Sequence, residues 1–147
     1  VEDAQAAIRM VRTRAAEWKV DPAKVGMVGF SAGAMTTLDT GMHPYLPMRP
    51  SFIPPIYPPM MARTAPADAP PMFLAVSLDD PLFAQGKALG LIQSWRAAKR
   101  PLEVHLYEKG NHGFGMTGAF AGPALWIDSF HAWMKDRKIL AAPKPAK

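Results

Sequence analysis

Three short stretches carry residues able to do acyl-transfer chemistry. "VGFSAG" sets Ser31 between Gly29 and Gly33 at the end of an apolar run. A hydroxyl is a weak nucleophile until a base takes its proton, and an imidazole does so when a carboxylate orients it. "KGNHGFGM" supplies His112 in a glycine-rich loop, where the ring can reach across a sheet edge without being fixed in a core. "AVSLDDPLF" supplies Asp79 and Asp80 directly after another apolar run. Either carboxylate fits by position, and one of them can cap the turn before Pro81. The chain order Ser31, Asp, His112 matches that of one fold among those using such a triad. The other histidines have plainer places: His43 in a proline-rich loop, His105 alternating within a strand, and His131 on the polar side of the last helix.

The elements around these residues follow from periodicity. "KVGMVGF" has the length and apolar character of a strand buried on both faces, and "SAGAMTTLDTG" suits a helix of about ten residues ending at Gly41. A strand, G-x-S-x-G and a helix in that order make a sharp elbow that lifts the serine above the sheet. Gly29 and Gly33 are expected to leave room where a side chain would clash. The helix N-terminus then faces the site, and the Ala32 N–H becomes a donor to a developing oxyanion. Upstream, Asp3 is expected to cap a helix over "AQAAIRMVRTRAAEW", with a turn at "VDPAK". Downstream, "SFIPPIYPPMM", "PPMFLAVSL" and "PLEVHLYE" predict three strands, with a helix around Ala88, Leu91, Ile92 and Trp95 before the last of them. A final helix, "PALWIDSFHAWMKDRK", has Pro123 in its first turn and Trp126, Phe130, Trp133 and Met134 on one face. Strands alternating with helices predict an α/β fold, a parallel sheet of about four strands flanked by helices. Residues 1–138 are read as one domain and 139–147 as a basic C-terminal tail.

Composition narrows the classes. The chain has 147 residues, 49% hydrophobic and 20% charged, ordinary for one globular domain. Its 17 Lys and Arg against 12 Asp and Glu give +5, but the basic residues are scattered except in the tail, so no nucleic-acid partner is expected. No apolar run is long enough for a membrane span. There is no cysteine, hence neither a disulfide framework nor a thiolate metal site. Histidine and carboxylate spacing suggests no metal, and no cofactor is expected. The compartment is open, with the cytoplasm favoured. Ten of the 16 prolines fall in residues 43–71, which reads as rigid, extended connections around one strand. Pro54, Pro55 and Pro58 argue against that strand being central along its whole length.

"VGMVGFSAG", "PPMFLAVSLDDPL" and "EVHLYEKGNHGFGM", in this order, resemble the C-terminal half of an α/β-hydrolase. The similarity is to serine esterases related to acetylxylan and feruloyl esterases, hormone-sensitive-lipase-like esterases and dienelactone hydrolases. It spans residues 1 to about 138. The resemblance implies Ser31 as nucleophile, His112 as base and, from the D-P-L match, Asp80 as the acid, with Asp79 a turn residue. It also implies an earlier half, with first strands and an H-G-G-G-like loop completing the oxyanion hole, that these residues lack. The chain is therefore expected to be a fragment, or a homo-oligomer that covers the edge of strand 25–30. The expected activity is hydrolysis of small or polar carboxylic esters, because the short connection between the middle strands leaves no room for a large lid. Phe30, Tyr57, Phe83 and Phe114 are expected to line the substrate pocket. Two alternatives remain at this stage: a serine peptidase of the prolyl-oligopeptidase-like type, and a non-catalytic module retained for assembly.

Overall fold

The computed structural model describes residues 1–59, 63–83, 88–116 and 119–140. Four parallel strands lie in the order β1 (Gly29–Phe30), β2 (Pro55–Ile56), β3 (Met72–Ser77) and β4 (Leu102–Tyr107). The helices are α1 (Glu2–Thr13), α2 (Ala15–Trp18), α3 (Ala32–Gly41), α4 (Ala88–Ala97), α5 (Ala121–Ala124) and α6 (Trp126–Asp136). This is the four-stranded parallel α/β sheet that the alternation predicts.

β3 organises the molecule. All six of its residues are buried, as an apolar run in the interior of a parallel sheet requires. Successive side chains leave on opposite faces. Met72, Leu74 and Val76 pack with Leu38 of α3 and with Leu91 and Trp95 of α4. Phe73 and Ala75 pack on the other face with Trp126, Phe130 and Trp133 of α6. α1 lies outside α3, with Ile8 buried. Ile139 packs against the α6 cluster, and the tail from 141 lies outside the described residues.

The proline-rich strand is central but short, and its prolines say why. The N–H groups of Ile53 and Tyr57 donate to Pro71 and Ala75 on the β3 side, at 2.9 and 2.8 Å. By parity Pro55 stands where the next donor on that side would be, and Pro54 where one would face β1. Each proline removes one ladder bond, so regular pairing shrinks to Pro55–Ile56.

β1 departs from the expected strand buried on both faces. Val25 O, Met27 N, Gly29 N and Ser31 N all bond to the β2 segment, yet Val28 is 47% and Phe30 40% exposed. β1 is the edge strand of the sheet, paired with β2 on one side only, so no described strand lies on its other side and part of the run is left in solvent. Three helix boundaries also differ. α1 begins at Glu2 with Val1 at its cap, so Asp3 sits inside the first turn, where a carboxylate favours the helix dipole instead of capping it. The first helix is interrupted at Arg14, and the last is divided at Leu125 into α5 and α6.

Candidate active site

Ser31 stands between β1 and α3 with φ 50° and ψ −119°. A non-glycine residue in that region is strained, and the surrounding structure must hold it there. Gly29 makes the turn possible: a Cβ on it would lie 2.2 Å from Gly33 O and 2.3 Å from Thr37 Oγ1. Gly33 is different. A Cβ there meets nothing within 4 Å, so the expected clash does not occur; Gly33 lies exposed on the outer side of the first turn of α3. Ala34, where a further glycine would fit the resemblance, is fully buried, and its N–H donates to Ser31 O at 2.9 Å. Ala32 begins α3, so its N–H is one of the first-turn donors without a partner within the helix.

The three motifs meet at the C-terminal ends of the strands. Ser31 Oγ lies 2.8 Å from His112 Nε2, and His112 Nδ1 lies 2.8 Å from Asp80 Oδ2. Asp80 is 2% exposed, and its second oxygen accepts the Leu82 N–H at 2.8 Å. A buried carboxylate held this way fixes the ring so that its Nε2 lone pair can face the hydroxyl. Such a chain can draw the proton from Ser31 as the oxygen attacks a carbonyl. Asp79, one residue away, takes the backbone and not the ring: its Oδ1 accepts the N–H groups of Gly110 and Asn111.

The aromatic residues divide. Tyr57 lies edge-on to His112 at 5.3 Å and to Phe114 at 4.7 Å, and Phe30 lies 5.9 Å from Tyr57 and 5.8 Å from Trp126. Phe30, Tyr57 and Phe114 thus gather beside His112. Burial raises the Tyr57 hydroxyl pKa above its ordinary value, with the Gly115 backbone pulling the other way, so the phenol stays neutral. Phe83 does not join them. It packs against the α3 and α4 cluster on the opposite face of the sheet.

Two supporting residues escaped the sequence reading. Asn111 adopts φ 55°, and its side chain accepts the His112 N–H at 2.7 Å. Trp126 donates its Nε1–H to Gly115 O at 2.8 Å. Asn111 left a signal, since asparagine tolerates the left-handed region and sits among turn formers in "KGNHG". Trp126 left none, because its helical spacing reads as core. Among the described residues no cluster of three or more His, Cys, Asp or Glu could hold a metal, and no helix is long and apolar enough to cross a membrane.

The comparisons with known proteins agree with this architecture. An acetyl ester-xyloside bifunctional hydrolase from Caldicellulosiruptor lactoaceticus superposes with a TM-score of 0.82 at 21% identity, covering 95% of this chain and 66% of that one. Esterase 2 from Thermogutta terrifontis, solved phosphoramylated by tabun, superposes at 0.81 and 22% identity, covering 96% of this chain and 65% of that one. A carboxylesterase from Lactobacillus plantarum superposes at 0.78 and 18% identity, covering 95% and 68%. The chain thus spans just under two thirds of the length of the first two. At these identities the likeness shows the α/β-hydrolase fold. No curated protein sequence matches significantly. The sequence profile of the dienelactone hydrolase family, however, matches residues 1–126, most of the chain. The chain belongs to the dienelactone hydrolase family.

Proposed function

We propose that the protein is a serine hydrolase that cleaves small or polar carboxylic esters through an acyl-enzyme on Ser31. The single observation that carries the reading is the unbroken chain from Ser31 Oγ through His112 to Asp80, both contacts at 2.8 Å. In the first step the Ser31 oxygen bonds to the ester carbonyl carbon while His112 Nε2 takes its proton. The charge that develops on the carbonyl oxygen is met by the Ala32 N–H at the start of α3, a kind of donor whose loss costs about a hundredfold or more in turnover. His112 returns the proton to the leaving alcohol, and Asp80 stabilises the imidazolium in between. Water then attacks the acyl-serine with His112 as base, which restores the hydroxyl and releases the acid.

The surroundings of Ser31 favour small substrates. Among the described residues, 57–71 between β2 and β3 contain no helix that would cover Ser31. Phe30, Tyr57 and Phe114 offer a short apolar wall beside the base. Two structural neighbours point to short acyl groups: the Caldicellulosiruptor hydrolase by its acetyl ester, and the Thermogutta esterase by the propionate bound to it.

The test is Ser31→Ala assayed on 4-nitrophenyl acetate, with a peptide anilide beside it. The expected result is ester turnover by the parent, little or none on the anilide, and a loss of at least about a thousandfold in the variant. Ester hydrolysis that survives the substitution contradicts the reading, and a preference for the anilide would make the protein a peptidase.

A further inference from the structure

Resting on the proposed role of Ser31 and His112, we infer that Asp79 is a positioning residue for the reaction: its carboxylate holds the backbone of the His112 loop, while Asp80 of the same turn holds the ring. The turn itself is well anchored. It leaves the buried end of β3 at Ser77, and Leu78 N–H donates to Tyr107 O, the last residue of β4, at 2.7 Å. From this one turn two carboxylates diverge. Asp80 reaches His112 Nδ1 at 2.8 Å, and Asp79 Oδ1 accepts the N–H groups of Gly110 at 3.0 Å and Asn111 at 2.8 Å.

Side-chain oxygens hold the backbone of the loop just before the ring. Asn111 is in the left-handed region at φ 55°, and its own Oδ1 takes the N–H of His112. Three consecutive N–H groups, of residues 110, 111 and 112, therefore end on side-chain oxygens, two of them on Asp79. The loop is also seated closely on β3: a Cβ on Gly110 would lie 2.1 Å from Ser77 Oγ and 2.9 Å from Pro123. Because ring and backbone are both referenced to the turn after β3, the 2.8 Å spacing of Ser31 and His112 depends on Asp79 as well as on Asp80. Asp79 is exposed, and no cation pairs with it among the described ion pairs. Its contribution is thus the acceptor oxygen, which an amide also offers.

Steady-state kinetics on 4-nitrophenyl acetate test this with Asp79→Ala, Asp79→Asn and Ser31→Ala. Asp79→Ala is expected to lower kcat about tenfold to a hundredfold with KM within twofold, the size of losing two ordinary hydrogen bonds. Asp79→Asn keeps the acceptor and is expected to stay within about threefold of the parent. In the unmodified chain, amide exchange at Gly110 and Asn111 should be slowed well below that of free peptide, so the inference stands or falls even where Asp79→Ala does not fold. It is overturned by an Asp79→Ala enzyme at full kcat, by a loss confined to KM, by Asp79→Asn falling with Asp79→Ala, or by unprotected amides. Activity surviving in Ser31→Ala would instead remove the reading on which it rests.

Discussion

Replacing each glycine of the elbow by alanine gives opposite results that follow from the space around them. At Gly29 the new Cβ would lie 2.2 Å from Gly33 O and 2.3 Å from Thr37 Oγ1, where ordinary contact begins near 3.4 Å. Thr37 Oγ1 already donates to Gly33 O at 3.0 Å, so the two obstructing atoms form one unit. The first turn of α3 must retreat by about 1.2 Å, carrying Ser31 with it. Overpacking of this kind costs about 1–3 kcal/mol, and a displacement near 1 Å at reacting groups costs about a hundredfold in rate. At Gly33 a Cβ meets open space on a helical residue, where alanine is favoured over glycine by about 0.5–1 kcal/mol. For a chain of this size each kcal/mol moves the melting midpoint by about 2–4 °C. Gly29→Ala should therefore melt several degrees below the parent with kcat/KM on 4-nitrophenyl acetate down about a hundredfold, and Gly33→Ala should melt slightly above it. Parental stability and rate in Gly29→Ala, or a Gly33→Ala protein less stable than the parent, would refute the reasoning.

Three further outcomes are expected. Asp80→Asn leaves a side chain of the same shape but presents the wrong group to His112 Nδ1, so kcat should fall on the order of ten-thousandfold with the melting curve little changed; kinetics and calorimetry on the same sample decide it. Trp126→Phe keeps ring packing but leaves Gly115 O without its donor, which should lower stability by about 1–3 kcal/mol in urea titration. The Asp68 carboxyl is held below its ordinary pKa by the hydrogen bond from buried Arg49. A depressed folded-state pKa gives stability that is present above the unfolded value, near 4, and lost as pH falls. Asp68→Asn should thus be slightly less stable than the parent at neutral pH and converge with it in acid; a gap unchanged at low pH contradicts that sign.

The sequence made the layers and the site legible because each rests on a local pattern. The run "MFLAVS" reads as a buried parallel strand with no context, and Ser31, Asp80 and His112 each sit in a short motif at a strand end. Choosing Asp80 over Asp79 needed the resemblance, because two adjacent carboxylates have the same composition and differ only in the side to which the turn directs them. What stayed hidden is set by tertiary neighbours. The exposure of Val28 and Phe30 follows from the place of β1 at the sheet edge, which periodicity within one strand does not encode. Phe83 has the same side chain as Phe114, yet the turn after Asp80 sends it to the other face. The two elbow glycines look equivalent in "GFSAG", and only the folded elbow, which sets Gly29 against Gly33 O and Thr37 Oγ1, distinguishes them.

The most direct test of the central claim is covalent labelling with a fluorophosphonate followed by peptide mass mapping. The account predicts one modification, on the peptide containing Ser31, lost in Ser31→Ala and markedly slowed in His112→Ala. Stoichiometric labelling at another residue, or an unlabelled Ser31 in a protein that still hydrolyses 4-nitrophenyl acetate, would contradict it.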